Sequence, residues 1–311
     1  MDERIKVKLM NLNIKSLQKK FGKNLAVNKN LSKYSWFNLG GPADFFFRPE
    51  SKDQLVNFLS DIKELDFKIN ILGAGSNTLI RDHGARGVVI KLGSKFSNIR
   101  LISDDSIEVG AATLDRNISE FAKNQGISSL EFLSCIPGSI GGSIIMNSGC
   151  YGSEISKVLL SIKVVDKNGT EKEIKKNEIK FYYRGTNIPE NYIIISAILK
   201  GNRSSKELVQ KKQEELILKK KEAQPSKIKT GGSTFKNTKC KKAWELIKES
   251  GCEKFKIGGA KISDKHCNFF VNDGDASASD IEKLINKVKK EVLFKTGVNL
   301  ELEIKIMGDE K

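Results

Sequence analysis

Histidine is almost absent from this 311-residue chain, which holds only His83 and His266. The five cysteines (Cys135, Cys150, Cys240, Cys252, Cys267) are odd in number and contain no CxxC pair. Together these shortages leave no ligand set for a zinc site and no disulfide framework, so no metal is expected and the thiols read as reduced. Long apolar runs are missing too. No window approaches the roughly 18 residues of a membrane-spanning helix, and the start, "MDERIKVKLM", lacks the core of a signal peptide, so a cytoplasmic protein with no membrane partner is expected. Arginine is scarce: eight of the 54 basic residues. The lysines are spread along the chain without the interleaved aromatics of a nucleic-acid face, so no nucleic-acid partner is expected. The net charge of +16 instead suits anionic small molecules, whose encounter rate a positive field raises.

What is present is a mixed pattern of strands and helices, 39% hydrophobic and 30% charged, long enough for about two domains. A short basic helix is expected over 13–23. A clearer one covers 51–65, capped by Ser51, with apolar residues at 55, 58, 59, 62 and 65. "FKINILGAGSN" reads as a buried strand entering a glycine turn, "GVVIKLG" as another strand, and 114–124 as a helix ending near Gly126. "VLLSIKVVDKNGTEKEIKK" reads as a hairpin about an Asn-Gly turn, and "NYIIISAILKGN" as an apolar strand. A highly charged helix over 205–222 is stopped by Pro225, marking a boundary. Beyond it come a helix at 241–250, a helix at 280–296 with Ser279 and Glu282 at capping-box spacing and Gly297 at its end, and an alternating strand, "GVNLELEIKI". No internal repeat or low-complexity tract occurs.

Two stretches are rich in glycine. "GAGSNT" at 73–78 lacks the third glycine and the following helix of a dinucleotide fingerprint. It remains either a structural turn or a nest of amides for an anion. "IPGSIGGSIIMNSGCYG" at 136–152 holds five glycines and no charged residue. A loop so rich in glycine costs folding entropy, which points to close approach of backbone and ligand. Two such loops suit an extended ligand with a pyrophosphate. A third stretch, "TGGSTFKN" at 230–237, is open to three readings: a phosphate cradle, a tight turn, or a serine presented for chemistry.

In order along the chain, "ILGAGSNTLI", "EFLSCIPGSIGGSIIMNSGCYG", "YYRGTNIP", "GGSTFKN", "KISDKHCNFFVN" and "LELEIKIMG" resemble the UDP-N-acetylenolpyruvoylglucosamine reductase (MurB) family from about residue 34 to 308. The resemblance implies an α+β flavoenzyme of peptidoglycan precursor synthesis. Its two-part FAD-binding domain, of the PCMH/VAO-like type, would cover 1–70 and 71–203, and a smaller α+β substrate-binding domain 204–311. The reaction implied is NADPH-dependent reduction of UDP-N-acetylglucosamine enolpyruvate to UDP-N-acetylmuramate, with hydride from N5 of a non-covalently held flavin. The short segment between Arg184 and Ser233 resembles the compact subgroup. Asn38, where many relatives carry a basic residue, and Thr238, where a proline is usual, depart from the pattern.

By the same resemblance, FAD would touch Gly73, Ala74, Gly75, Ser76, Asn77, Thr78, Pro137, Gly138, Ser139, Gly141, Gly142, Asn147 and Gly149. Ser233 matches the family's proton donor, Arg184 its carboxylate-binding arginine and Glu303 its catalytic glutamate. The chemistry agrees: conjugate reduction leaves a carbanion to be protonated and a carboxylate to be held, and a planar guanidinium can hold both oxygens. Lys236 and Asn237 are expected as substrate contacts. Tyr183 takes a supporting role with its ring turned away from Arg184. His266, Cys267 and Cys150 read as structural. Glu301 shares a face with Glu303 and could be mistaken for it. A monomer is expected. Two rival readings are another flavin oxidase acting on a different alcohol or acid, against which the ordered motifs argue, and a non-catalytic basic nucleic-acid binder.

Overall fold

The computed structural model describes residues 15–310 and builds three lobes around four apolar clusters. The first lobe is a four-stranded sheet in the order Leu25–Asn30, Pro42–Phe47, Ala85–Ile90, Ile69–Ile71, its first pair antiparallel and the rest parallel. Helix Lys52–Ile62 lies on it because Leu55, Phe58, Leu59 and Ile62 recur at helical spacing, and the Ser51 hydroxyl caps it by accepting from the Gln54 amide. Phe58 stacks on Phe47 at 3.8 Å. Burying each such ring contributes roughly 1.5–3 kcal/mol.

The second lobe is a five-stranded antiparallel sheet, Glu171–Lys175, Leu159–Val165, Ile193–Lys200, Ser106–Gly110, Ile99–Ser103. Val165, Ile193 and Ile195 from this sheet complete the first lobe's cluster, so the two lobes share a core. The third lobe is a four-stranded antiparallel sheet, Lys229–Ser233, His266–Asn272, Ala260–Ser263, Lys256–Ile257, covered by helices Ala243–Glu249 and Ala278–Thr296. Phe37, Leu39 and Leu79 reach its core from the first lobe, and strand Lys305–Met307 pairs in parallel with Thr78–Ile80.

Several expectations need correction. The helix expected at 13–23 begins outside the described residues and runs helically from 15 to 21. The strand expected to be buried before the first glycine turn is a short edge strand, Ile69–Ile71, with Ile71 37% exposed, because it has only one neighbour in the sheet. The last long helix is capped two residues earlier, by the Ser277–Asp280 box, which frees Glu282 to pair with Arg81 at 2.9 Å. The segment 298–306 keeps its alternation but is mostly not sheet. It crosses from the third lobe to the first, meeting Phe235 through Leu302 and becoming a strand only at Lys305–Met307. Helix Lys206–Ala223 packs on the second lobe, where Val209 and Leu216 are buried and Gln213 bonds the Ser119 hydroxyl at 2.6 Å. The packing break therefore falls after this helix, near Pro225, and not at residue 204.

Candidate active site

The first glycine loop leaves the edge strand and turns at Gly75, where φ is +71° and any Cβ would lie 1.9 Å from the Tyr34 carbonyl oxygen. Only glycine fits there. The loop's carbonyls are tied back: Gly73 accepts from the Lys91 ammonium, Gly75 from the Trp36 amide at 3.0 Å, and Asn77 from the Lys305 amide at 2.9 Å. Among the described residues, no amide from Gly73 to Asn77 finds an acceptor. Carbonyls held back and amides left forward make an anion nest.

The second glycine loop meets the first. A Cβ on Gly73 would stand 2.8 Å from the Ser139 hydroxyl, although the residues belong to different lobes. Beneath Gly138 lies the carboxyl of Asp115, fully buried, with one oxygen accepting from the Ser143 hydroxyl at 2.7 Å and the other without a partner. Burial raises this carboxyl to about 7, against the pull of Ser143. Lys91 is the counterpart under the first loop, lowered to about 8 by burial and by the nearby Arg48 charge. The open backbone of both loops fits an elongated anionic cofactor with a flat ring system.

Facing the loops is a cluster of side chains from three distant segments. Arg184 has a left-handed backbone (φ +58°), rare for a residue with a side chain and costly where it occurs. Its Nε donates to Glu303 Oε1 at 2.8 Å, and its terminal nitrogen to the Gly149 carbonyl at 3.0 Å. The Tyr183 ring lies 5.0 Å from the guanidinium, so it shares the side of Arg184; the left-handed turn breaks the alternation that would have sent it away. Asn147 braces this turn, donating to the Tyr182 carbonyl at 3.1 Å.

Glu303 is held along its backbone. Its amide donates to the Thr234 carbonyl at 2.8 Å and its carbonyl accepts from the Asn77 side chain at 3.0 Å. The Glu303 side chain is 18% exposed, whereas that of Glu301 is 75% exposed and reaches only Lys236, at 3.5 Å. The two glutamates differ because 303 sits where three lobes meet. Burial pushes the Glu303 carboxyl up, while Arg184 and then Lys236 pull it down; for Arg184 the attraction of Glu303 outweighs burial and its net shift is upward. Both groups are shifted upward, which favours the charged guanidinium but the neutral carboxyl; the short charge-assisted contact identifies the resting state as an ion pair.

Ser233 ends strand Lys229–Ser233 just after a register shift at Gly231 and Gly232. Gly231 is pressed by the Phe37 ring, 2.4 Å from where a Cβ would be, and Gly232 has φ +79°. Beyond this bulge the half-buried Ser233 rejoins the ladder opposite Phe269, and its hydroxyl makes no hydrogen bond among the described residues. Asn268 pins the next residues by bonding both the amide and the carbonyl of Phe235. The Asn237 oxygen accepts from the Ala243 amide at 3.0 Å, leaving its amide nitrogen outward, and Thr238 closes the neighbouring turn on Lys241. Asn38 is exposed at φ +56°.

The structure thus ties Arg184 to the second glycine loop and Glu303 to the first, with Ser233 one residue before Thr234, whose carbonyl accepts from the Glu303 amide. Asn77, Asn147 and Gly149, expected at the cofactor, brace Glu303 and the turn of Arg184. His266 is packed between Trp244 and Phe269. Sequence reasoning missed Lys91 and Asp115. The lysine carried a signal, as a charged residue closing the apolar run "GVVIK"; the aspartate read as an ordinary first-turn residue of a helix.

A family profile described as "UDP-N-acetylenolpyruvoylglucosamine reductase, C-terminal domain" matches residues 224–307, and one described as "FAD binding domain" matches 43–175. A UDP-N-acetylenolpyruvoylglucosamine reductase of Pelagibacter ubique is 49% identical over 281 residues, 89% of this chain and 93% of the relative. One from Wolbachia sp. subsp. Drosophila simulans is 45% identical over 279 residues, covering 89% and 94%. The crystal structure of the corresponding reductase from Thermus caldophilus aligns with a TM-score of 0.79 at 31% identity, covering 91% of this chain and 98% of that one.

Proposed function

The chain belongs to the UDP-N-acetylenolpyruvoylglucosamine reductase family, and from that premise we propose how its own residues carry out the reduction of UDP-N-acetylglucosamine enolpyruvate to UDP-N-acetylmuramate. The amides of Gly73–Asn77 would hold the FAD pyrophosphate, and the second glycine loop would contact the flavin without a covalent link. Bound there, FAD supplies hydride chemistry, drawing on NADPH. Arg184 binds the enolpyruvyl carboxylate through its free guanidinium edge, while Glu303 fixes the other edge and sets the angle of approach. Charge that develops next to that carboxylate is stabilised by the same guanidinium. Ser233 then donates its hydroxyl proton to the carbon beside the carboxylate; its high pKa suits a strong carbon base. Tyr183, Lys236 and the outward amide of Asn237 contact the rest of the substrate. Residues beyond Ala223 form the substrate side, and those before it the cofactor side. Among the described residues no helix is long and apolar enough to cross a membrane; we propose a cytoplasmic monomer that binds no nucleic acid.

The observation that carries this reading is the Arg184–Glu303 pair, tied to the second glycine loop through Gly149 and to the first through Asn77. The test is NADPH consumption by the yellow holoenzyme, with and without the enolpyruvyl substrate. Consumption should depend on that substrate and match product formation one for one. A flavin-free protein that FAD does not reconstitute, or oxidation indifferent to the substrate, would overturn it.

A further inference from the structure

Two thiols bracket the second glycine loop. Cys135 closes the turn Glu131–Cys135 that enters it, and Cys150 lies in the short strand Gly149–Cys150 that leaves it. The Cys150 thiol donates to the Phe132 carbonyl at 3.4 Å, placing it against the turn Glu131–Cys135, three residues before Cys135. Cys135 is nearly buried and Cys150 half-buried. The Lys220 ammonium sits on the Cys135 carbonyl at 2.8 Å. Cys240, Cys252 and Cys267 all lie in the third lobe. Neighbouring thiols can be mere core filling; these two, however, stand at the two ends of the second glycine loop, brought together by the packing of Cys150 on the turn that ends at Cys135.

We propose that Cys135 and Cys150 are a modification site, closing to a reversible disulfide under hydrogen peroxide. The Cys135 thiolate attacks one peroxide oxygen, the O–O bond breaks, and a sulfenic acid and hydroxide form. The Cys150 sulfur then attacks the sulfenic sulfur, the S–O bond breaks, and the released oxygen and the hydroxide leave as water with the two thiol protons. The sulfurs lose two electrons and the peroxide gains them. The pair is asymmetric in the sense this order needs: the Cys150 hydrogen bond, ahead of Lys220, draws Cys135 well below the usual thiol range against the effect of burial, while Cys150 is pushed up. The bridge would staple the loop from Cys135 to Cys150, next to the Gly149 carbonyl that Arg184 holds.

The pair falls in a single tryptic peptide, 124–157. Holoenzyme treated with peroxide, blocked with an alkylating agent, denatured and digested should show this peptide unalkylated and lighter by two hydrogens. Dithiothreitol before blocking should restore two alkylated thiols. Cys150→Ser should leave Cys135 as a sulfenic acid that dimedone traps, with no dithiothreitol-reversible bridge. A peptide 124–157 that keeps both thiols while Cys240 oxidises, or a bridge between other cysteines, would overturn the assignment.

Discussion

The glycine loops and the Arg184–Ser233–Glu303 cluster face one another yet are built by opposite means. In the first loop the working groups are backbone amides, left forward because the Gly73, Gly75 and Asn77 carbonyls are tied back and because glycine alone permits the turn at Gly75. In the cluster they are side chains, drawn from the end of a strand, a strained turn and an extended crossing segment. Each loop is continuous in sequence and tolerates little change of backbone. The cluster is discontinuous, and its groups are set by one another. Damage to the loops should therefore appear first in cofactor affinity and stability, and damage to the cluster first in chemistry.

Ser233→Ala gives the sharpest separation and the largest effect. Flavin reduction by NADPH should stay near the wild-type rate, while reoxidation by the enolpyruvyl substrate slows about 10²–10⁴-fold, the scale of a lost general acid. Ser233→Cys should keep more activity than alanine. Stopped-flow absorbance resolves the two steps, and an unchanged reoxidation rate would return "TGGSTFKN" to the status of a turn.

Arg184→Ala comes next, because it strips a mostly buried carboxylate of its partner. Breaking such a pair costs roughly 3–5 kcal/mol when fully buried and less here, with both side chains about one-fifth exposed. Glu303 is already raised by burial, and losing Arg184 removes the main pull against that rise, so the folded variant binds the proton more tightly than the unfolded chain. The variant should thus lose most stability as pH rises and regain some on acidification, in thermal melts across pH. Glu303→Gln should impair turnover far more than Glu301→Gln.

On the loop side, Gly75→Ala forces a Cβ into the Tyr34 carbonyl and a left-handed backbone, worth on the order of 1–3 kcal/mol. FAD titration of the apoprotein should show weakened binding, with half-reaction rates little altered once the site is saturated. Equal loss of chemistry and affinity would break the division drawn above.

The smallest effect on turnover is expected under the second loop. Asp115 is raised from 3.8 to about 7, so the folded state binds the proton more tightly than the unfolded state. Its contribution is fully present below the lower value and is lost as pH rises to the upper one, with a slope of at most about 1.4 kcal/mol per pH unit. Asp115→Asn should flatten that part of the stability profile and change turnover little. An unchanged profile in denaturant melts between pH 4 and 7 would show that Asp115 titrates normally.

Local rules determined much of this protein from the sequence alone. Ser51 and Ser205 cap their helices, Gly297 ends one with φ +71°, and the apolar spacing of 51–65 and the hairpin about Asn168–Gly169 gave elements where they were expected. These features depend on residues a few positions apart, so the chain itself carries the information. The glycine loops were legible for the same reason. Only tertiary structure decided that Glu303 and not Glu301 is enclosed, that Tyr183 sides with Arg184, that the strand of Ile69–Ile71 is an edge, and that Cys150 packs on the turn ending at Cys135. Arg184 and Glu303 are 119 positions apart, and the Asn77 brace on Glu303 spans 226. No local periodicity encodes such a pairing. It follows from the meeting of three lobes, which withdraws a carboxylate from water and leaves it to the one guanidinium within reach.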